Sequence, residues 1–112
     1  MYYKETKYHS RKVTLDGITF DSQREANRYA ELKMMERAGI ISQLRLQPEY
    51  AIIEAHKRDD GTTERGVKYR ADFAYFKGDR EVVEDAKGFR TPEYILKRKL
   101  MLEKYGITIH EV

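Results

Sequence analysis

Asp72, Asp85 and Lys87 are the residues whose types and spacing could do chemistry in this chain. They sit in two segments that read as strands, residues 67–76 (VKYRADFAYF) and 81–87 (EVVEDAK), with the turn signal Lys77-Gly78-Asp79-Arg80 between them. A turn centred on Gly78-Asp79 sets Asp72 directly across from Asp85, and Arg70 across from Lys87. Strand side chains alternate faces, so Asp72, Asp85 and Lys87 share one. Two like charges opposed across a strand pair are destabilising unless a cation lies between them. Hard oxygen ligands suit Mg2+ or Mn2+, which keep several waters and accept phosphate oxygens. Such an ion polarises a phosphoryl group and lowers the pKa of a bound water toward neutrality. Lys87 alongside would stabilise developing negative charge or hold the attacking water, and the Ala86 carbonyl is a reasonable further ligand. The chemistry expected is metal-dependent phosphodiester hydrolysis.

The plainer reading is a surface hairpin with a solvated polar face. Phe73, Tyr75, Val82 and Val83 argue against it, because they suggest a strand pair covered on both sides. A polar cluster inside a covered sheet needs partners. Glu84 is the competing acid beside Asp85. Alternation sends it to the opposite face, and a one-residue bulge would exchange the two.

Asp72 with Asp85-Ala86-Lys87 resembles the PD-(D/E)xK signature of the restriction-endonuclease-like nuclease superfamily. The stretch Phe20 to Leu32, Leu46-Gln47-Pro48 and Glu84-Asp85-Ala86-Lys87-Gly88 is similar to small phage-encoded members, and junction-resolving endonucleases of the phage endonuclease I type have a similar arrangement. Ala71 stands where the signature has proline. The resemblance implies a fourth site residue, a first-helix glutamate, in the place that Glu25 occupies. Glu25 is also the acid that a capping box with Ser22 requires, and that role needs no metal. Tyr29 and Leu32 put it on a partly apolar helix side.

The elements that must position these residues follow in order. Val13, Leu15, Ile18 and Phe20 flank Asp16-Gly17, the strongest short hairpin signal. A helix starts at Asp21-Ser22 and runs to about Arg37, ended by Ala38-Gly39. Residues 41–55 read as one long extended stretch bent at Pro48, and residues 56–66 as a connecting loop. After the carboxylate hairpin, Thr91-Pro92 caps a second helix to Tyr105 with Gly106 as its stop, and Ile107 and Ile109 mark a closing strand. The expected fold is α/β (α+β): a restriction-endonuclease-like core of order α-β-β-β-α-β, with a central mixed four-stranded sheet, two flanking helices and a short N-terminal hairpin.

At 112 residues the chain makes one nuclease domain, residues 1–112, of which 1–12 read as a flexible basic arm. With 22 basic against 19 acidic residues, no polybasic tract drives nucleic-acid binding by bulk charge. Zero cysteines exclude disulfides, thiolate zinc sites and thiol nucleophiles. No apolar run approaches the roughly 18 residues that span a bilayer, so no membrane role and a cytoplasmic, phage-encoded protein in a bacterial host are expected. Tyr94, Met101 and Tyr105 form a core stripe on the second helix. Lys97, Arg98, Arg90, Lys4 and Lys7 are the candidate DNA contacts, and Gln47 and Arg70 the candidates to support the site. His9, His56 and His110 lack metal-ligand spacing and receive no role.

The function expected is a Mg2+- or Mn2+-dependent endonuclease acting on DNA, with Asp72, Asp85, Glu25 and Ala86 at the metal and Lys87 assisting. With no length left for a separate reading domain, it is expected to select branches, flaps or ends, or to rely on a targeting or replication partner protein. Two-strand cutting needs two sites, hence a homodimer. The alternatives are a noncatalytic nucleic-acid-binding protein on the same fold, and a structural protein whose acids are satisfied by Arg70 and Lys87.

Overall fold

Two short strands, β1 (Val13–Leu15) and β2 (Ile18–Phe20), open the computed structural model, which describes residues 11–86 and 90–112. Asp16 and Gly17 both take positive φ, 55° and 75°, as the two-residue turn that matches strand twist requires. Helix α1 (Gln23–Arg37) follows. Ser22 caps it by accepting the Glu25 amide at 3.1 Å. Ala26, Tyr29 and Leu32 recur at helical spacing and form its buried face.

The next strands are β3 (Ser42–Leu46), β4 (Glu49–Ile53), β5 (His56–Lys57), β6 (Thr63–Glu64), β7 (Val67–Arg70), β8 (Phe73–Lys77) and β9 (Arg80–Asp85). Helix α2 (Pro92–Tyr105) starts on a Thr91 cap and stops at Gly106, and β10 (Ile109–Glu111) ends the fold. The main sheet has the order β10-β9-β8-β3. Its β3–β8 and β8–β9 pairs are antiparallel, and β10 returns across α2 to lie parallel to β9. The α-β-β-β-α-β order expected therefore runs through α1, β3, β8, β9, α2 and β10 in an α+β fold with a mixed four-stranded sheet.

One helix covers each sheet face, as alternation along β8 and β9 shows. Phe73, Tyr75 and Val82 pack with Ala26, Tyr29 and Leu32 of α1. Ala74 and Val83 pack with Tyr94 and Met101 of α2, together with Ile52, Tyr69 and Ile109. Leu32, Phe73 and Met101 are fully buried, each contributing roughly 1.5–3 kcal/mol of apolar transfer. Of the expected α2 stripe, Tyr105 is exposed and hydrogen-bonds the Ala51 carbonyl at 2.7 Å. Among the described residues no helix is long and apolar enough to cross a membrane.

Three expected segments are subdivided. The stretch 41–55 is two strands in different sheets: β3 joins β8, whereas β4 joins β7, and the chain changes sheet at Gln47, whose φ is 52°. The strand expected over 67–76 breaks in the same way at Ala71-Asp72 into β7 and β8. The two breaks are clamped together, since the Gln47 amide donates to the Asp72 carbonyl at 2.9 Å and the Ala71 amide to the Pro48 carbonyl at 3.1 Å. Arg70 lies opposite Glu49 on β4, and its expected partner Lys87 is outside the described residues. The loop expected over 56–66 contains the β5–β6 ribbon, and every residue from 53 to 66 is exposed.

Candidate functional site

The β8–β9 ladder pairs Phe73 with Glu84 and Lys77 with Arg80, the register that the Gly78-Asp79 turn sets. It carries Asp72 and Asp85 to the same end of the hairpin. Asp85, the last residue of β9, is 1% exposed, and its Oδ2 accepts the Tyr69 hydroxyl. Its carbonyl accepts the Val112 amide at 3.0 Å, which fixes the strand end against β10. Asp72 is half-buried in the bend between β7 and β8. Its amide donates to the Glu84 carbonyl at 3.2 Å, and its Oδ2 accepts the Ala86 amide at 2.7 Å. Ala86 thus enters the site through its N–H.

Glu25 joins them from the first turn of α1. It is buried, and its Oε1 accepts the Asp21 amide at 3.3 Å, so it serves the helix start as well. Its side chain lies within hydrogen-bonding reach of Asp72 and feels the charge of Asp85. Burial raises its pKa above the ordinary glutamate value, the Asp21 and Asp85 charges add to the rise, and the Asp21 amide and Asp72 oppose it. Glu25 therefore interacts electrostatically with both Asp72 and Asp85.

Glu84 faces the other way, as alternation requires, and no bulge exchanges it with Asp85. It is 2% exposed and held bidentately by Arg28, at 2.8 Å from Nε and 2.6 Å from Nη2. Tyr75 donates its hydroxyl to the same carboxylate. Burial, then the Glu84 partnership, pushes the Tyr75 pKa up to about 12. Removing one partner of a buried pair costs roughly 3–5 kcal/mol, so Glu84 is committed to holding α1 on the sheet.

Tyr69, Arg28 and Tyr75 escaped the sequence reading. The available signal was nine tyrosines in a chain rich in acids, because a buried phenol needs an acceptor. Tyr69 is buried, and desolvation and then its bond to Asp85 raise its pKa strongly. It therefore stays a proton donor to Asp85.

The other expected residues are placed as follows. Gln47 is exposed and meets Asp72 through the backbone. Arg70 is exposed on β7. Arg90 and Arg98 converge on Glu111, from Nε at 2.7 Å and Nη1 at 2.8 Å, and the Tyr94 hydroxyl completes that group at 2.8 Å. Lys97 is partly buried and pairs with Glu93 at 3.1 Å along α2. Lys4, Lys7 and Lys87 lie outside the described residues.

The donor set fits a small divalent cation. Among the described residues no three His, Asp or Glu side chains converge as a ready metal cage. Mg2+ does not demand one, since it is usually held by one or two carboxylates and completed by waters. Asp72 and Asp85 are the two carboxylates that could act as hard oxygen donors to such an ion.

No curated protein and no solved structure matches the chain. A family model does, over residues 5–110, and its description reads "Protein of unknown function (DUF1064)". Because that match spans nearly the whole chain, this protein belongs to the DUF1064 family.

Proposed function

We propose that this protein is a Mg2+- or Mn2+-dependent endonuclease that hydrolyses phosphodiester bonds of DNA on a restriction-endonuclease-like core. The observation that supports the reading is the meeting of Glu25, Asp72 and Asp85 at one end of the β8–β9 hairpin, with Asp85 buried and Ala86 bonded to Asp72. When bound, the ion would polarise the scissile phosphoryl group and acidify a water, held by Asp72 and Asp85 with Glu25 and the Ala86 carbonyl as further donors. The chain's own groups prepare that place. The Tyr69 hydroxyl fixes the Asp85 carboxylate, and the Ala86 amide fixes Asp72. Lys87, two residues beyond Asp85 in sequence, supplies the cation for charge developing on the phosphoryl oxygens. The substrate is DNA with branches, flaps or ends, and a homodimer supplies the second site for two-strand cutting.

The test is a cleavage panel over linear duplex, single strand, flap and four-way junction, with Mg2+, Mn2+ or EDTA. The wild type cuts branched substrates with metal and nothing with EDTA. Asp85→Ala loses activity by about 10³-fold, and Lys87→Ala by about 10²–10³-fold with DNA binding retained. Cutting by Asp85→Ala at the wild-type rate, or undiminished cutting in EDTA, sinks the reading.

A further inference from the structure

A cleft of about 310 Å³ opens between β7 and the first turns of α2. That is the low end of the roughly 300–1,000 Å³ that ligand clefts occupy, and this one is open to solvent along its length. Among the described residues, its lining includes three that carry cations: Lys68 and Arg70 from β7, and Lys97 from α2. Among the described residues the lining has one carboxylate, Glu93, which pairs with Lys97. Lys68 makes only a long, exposed contact of 3.7 Å with Glu49, the cross-strand neighbour of Arg70. Arg70 has no ion pair among the described residues. Exposed pairs of this kind are worth about 0–1 kcal/mol and exchange readily for another anion.

The cleft is joined to the acid cluster by two short connections. Tyr69 is part of its lining, and the hydroxyl of that same residue is bonded to Asp85. Arg70 is separated from Asp72 by Ala71 alone. Tyr69 and Tyr94, with ring centroids 6.4 Å apart, pack β7 against α2 where the cleft lies. An acidic centre flanked directly by a cationic trough is the pattern required to hold one part of a polyanion while its neighbour sits at the carboxylates.

We propose that this cleft seats the phosphodiester backbone of the substrate strand immediately beside the acid cluster, with Arg70 and Lys97 contacting phosphate and Lys68 at its edge. The proposal rests on the nuclease reading for what happens at the carboxylates, but the binding it asserts is independent of cleavage. Backbone contacts of this kind position a strand without reading its sequence.

The experiment measures binding of a fluorescent DNA flap by anisotropy in EDTA, from 50 to about 300 mM salt, alongside the cleavage panel. Arg70→Gln with Lys97→Gln is expected to bind about tenfold more weakly at 0.1 M salt. Its log–log salt slope should be shallower by roughly 0.7–0.9 for each phosphate that the variant no longer neutralises. Arg70→Lys should recover most of the affinity, and thermal unfolding confirms that each variant folds. The control Arg80→Gln, at the exposed start of β9 and the far end of the β8–β9 hairpin, should match wild type.

A double variant with wild-type affinity and slope overturns the cleft, whatever the cleavage panel shows, as does an equal loss in Arg80→Gln. A wild type that binds no DNA in EDTA overturns it too. Loss of binding in the double variant, with a wild type that cuts nothing, upholds the cleft and sinks the nuclease reading alone. Inorganic phosphate separates a strand from a free anion. Displacement only at concentrations that act as ionic strength supports the strand, and displacement at low millimolar phosphate overturns it.

Discussion

Among the described residues, five tyrosine hydroxyls donate to carboxylates: Tyr29 to Asp16, Tyr50 to Glu81, Tyr69 to Asp85, Tyr75 to Glu84 and Tyr94 to Glu111. A phenol satisfies a carboxylate oxygen without cancelling its charge. Where an arginine is also present, as at Glu84, the acid is neutralised as well as hydrogen-bonded. Glu25 bears the consequence of burial beside other acids. Its raised pKa means that its ionised form opposes folding at every pH above its ordinary value of 4.5, and that the opposition fades as acid protonates it. Glu25→Gln keeps an acceptor for the Asp21 amide and removes the charge. In metal-free protein it should raise the melting temperature at pH 7, with the gap to wild type closing as the pH falls toward the ordinary value of 4.5, while metal-dependent cleavage is lost. A variant melting below wild type at pH 7 would show that the glutamate charge is compensated locally. Differential scanning fluorimetry over a pH series decides it.

At the scale of elements, what sequence made legible was local. The Asp16-Gly17 turn, the Ser22 and Thr91 caps, the Gly106 stop and the β8–β9 register all depend on neighbours a few residues apart, and all appear as expected. The gathering of Asp72 with Asp85 followed from that register. The sheet switches at Gln47 and Ala71 did not, because each break is held by the other from a distant part of the chain. The Arg28–Glu84 pair joins residues 56 apart, so no periodicity announces it. Gly66 marks another close approach. A Cβ there would stand 2.6 Å from the Ile53 carbonyl oxygen and 3.3 Å from the Ala55 nitrogen, beside the register shift between Ala51 and Ile53. Both obstacles are backbone, so Gly66→Ala should cost roughly 1–3 kcal/mol, read as a lower urea midpoint with the slope unchanged. An unchanged midpoint would mean that the β4–β7 ribbon can shift as a unit.

Across the whole molecule, the last strand and second helix are tied by one carboxylate. Arg90, then Tyr94, with Arg98 behind them, hold the Glu111 pKa down to about 2. A depressed acid contributes stability that is present above its ordinary value of 4.5 and lost as pH falls toward 2. Wild-type melting temperature should therefore drop through that window. Glu111→Gln should melt lower at pH 7 and lose less on acidification; parallel acid profiles for the two proteins would place the pH dependence elsewhere.

The parallel seat of β10 beside β9 has a consequence for biogenesis. Because β10 follows α2 in the chain, it leaves the ribosome after every element that bears an acid of the cluster. Until it docks, the backbone of β9 is a bare sheet margin, open to pairing with another nascent copy. A polypeptide terminated within α2 would carry Glu25, Asp72 and Asp85 yet lack the strand that secures Asp85, so synthesis itself delays the assembly of the acidic centre until translation has passed Glu111.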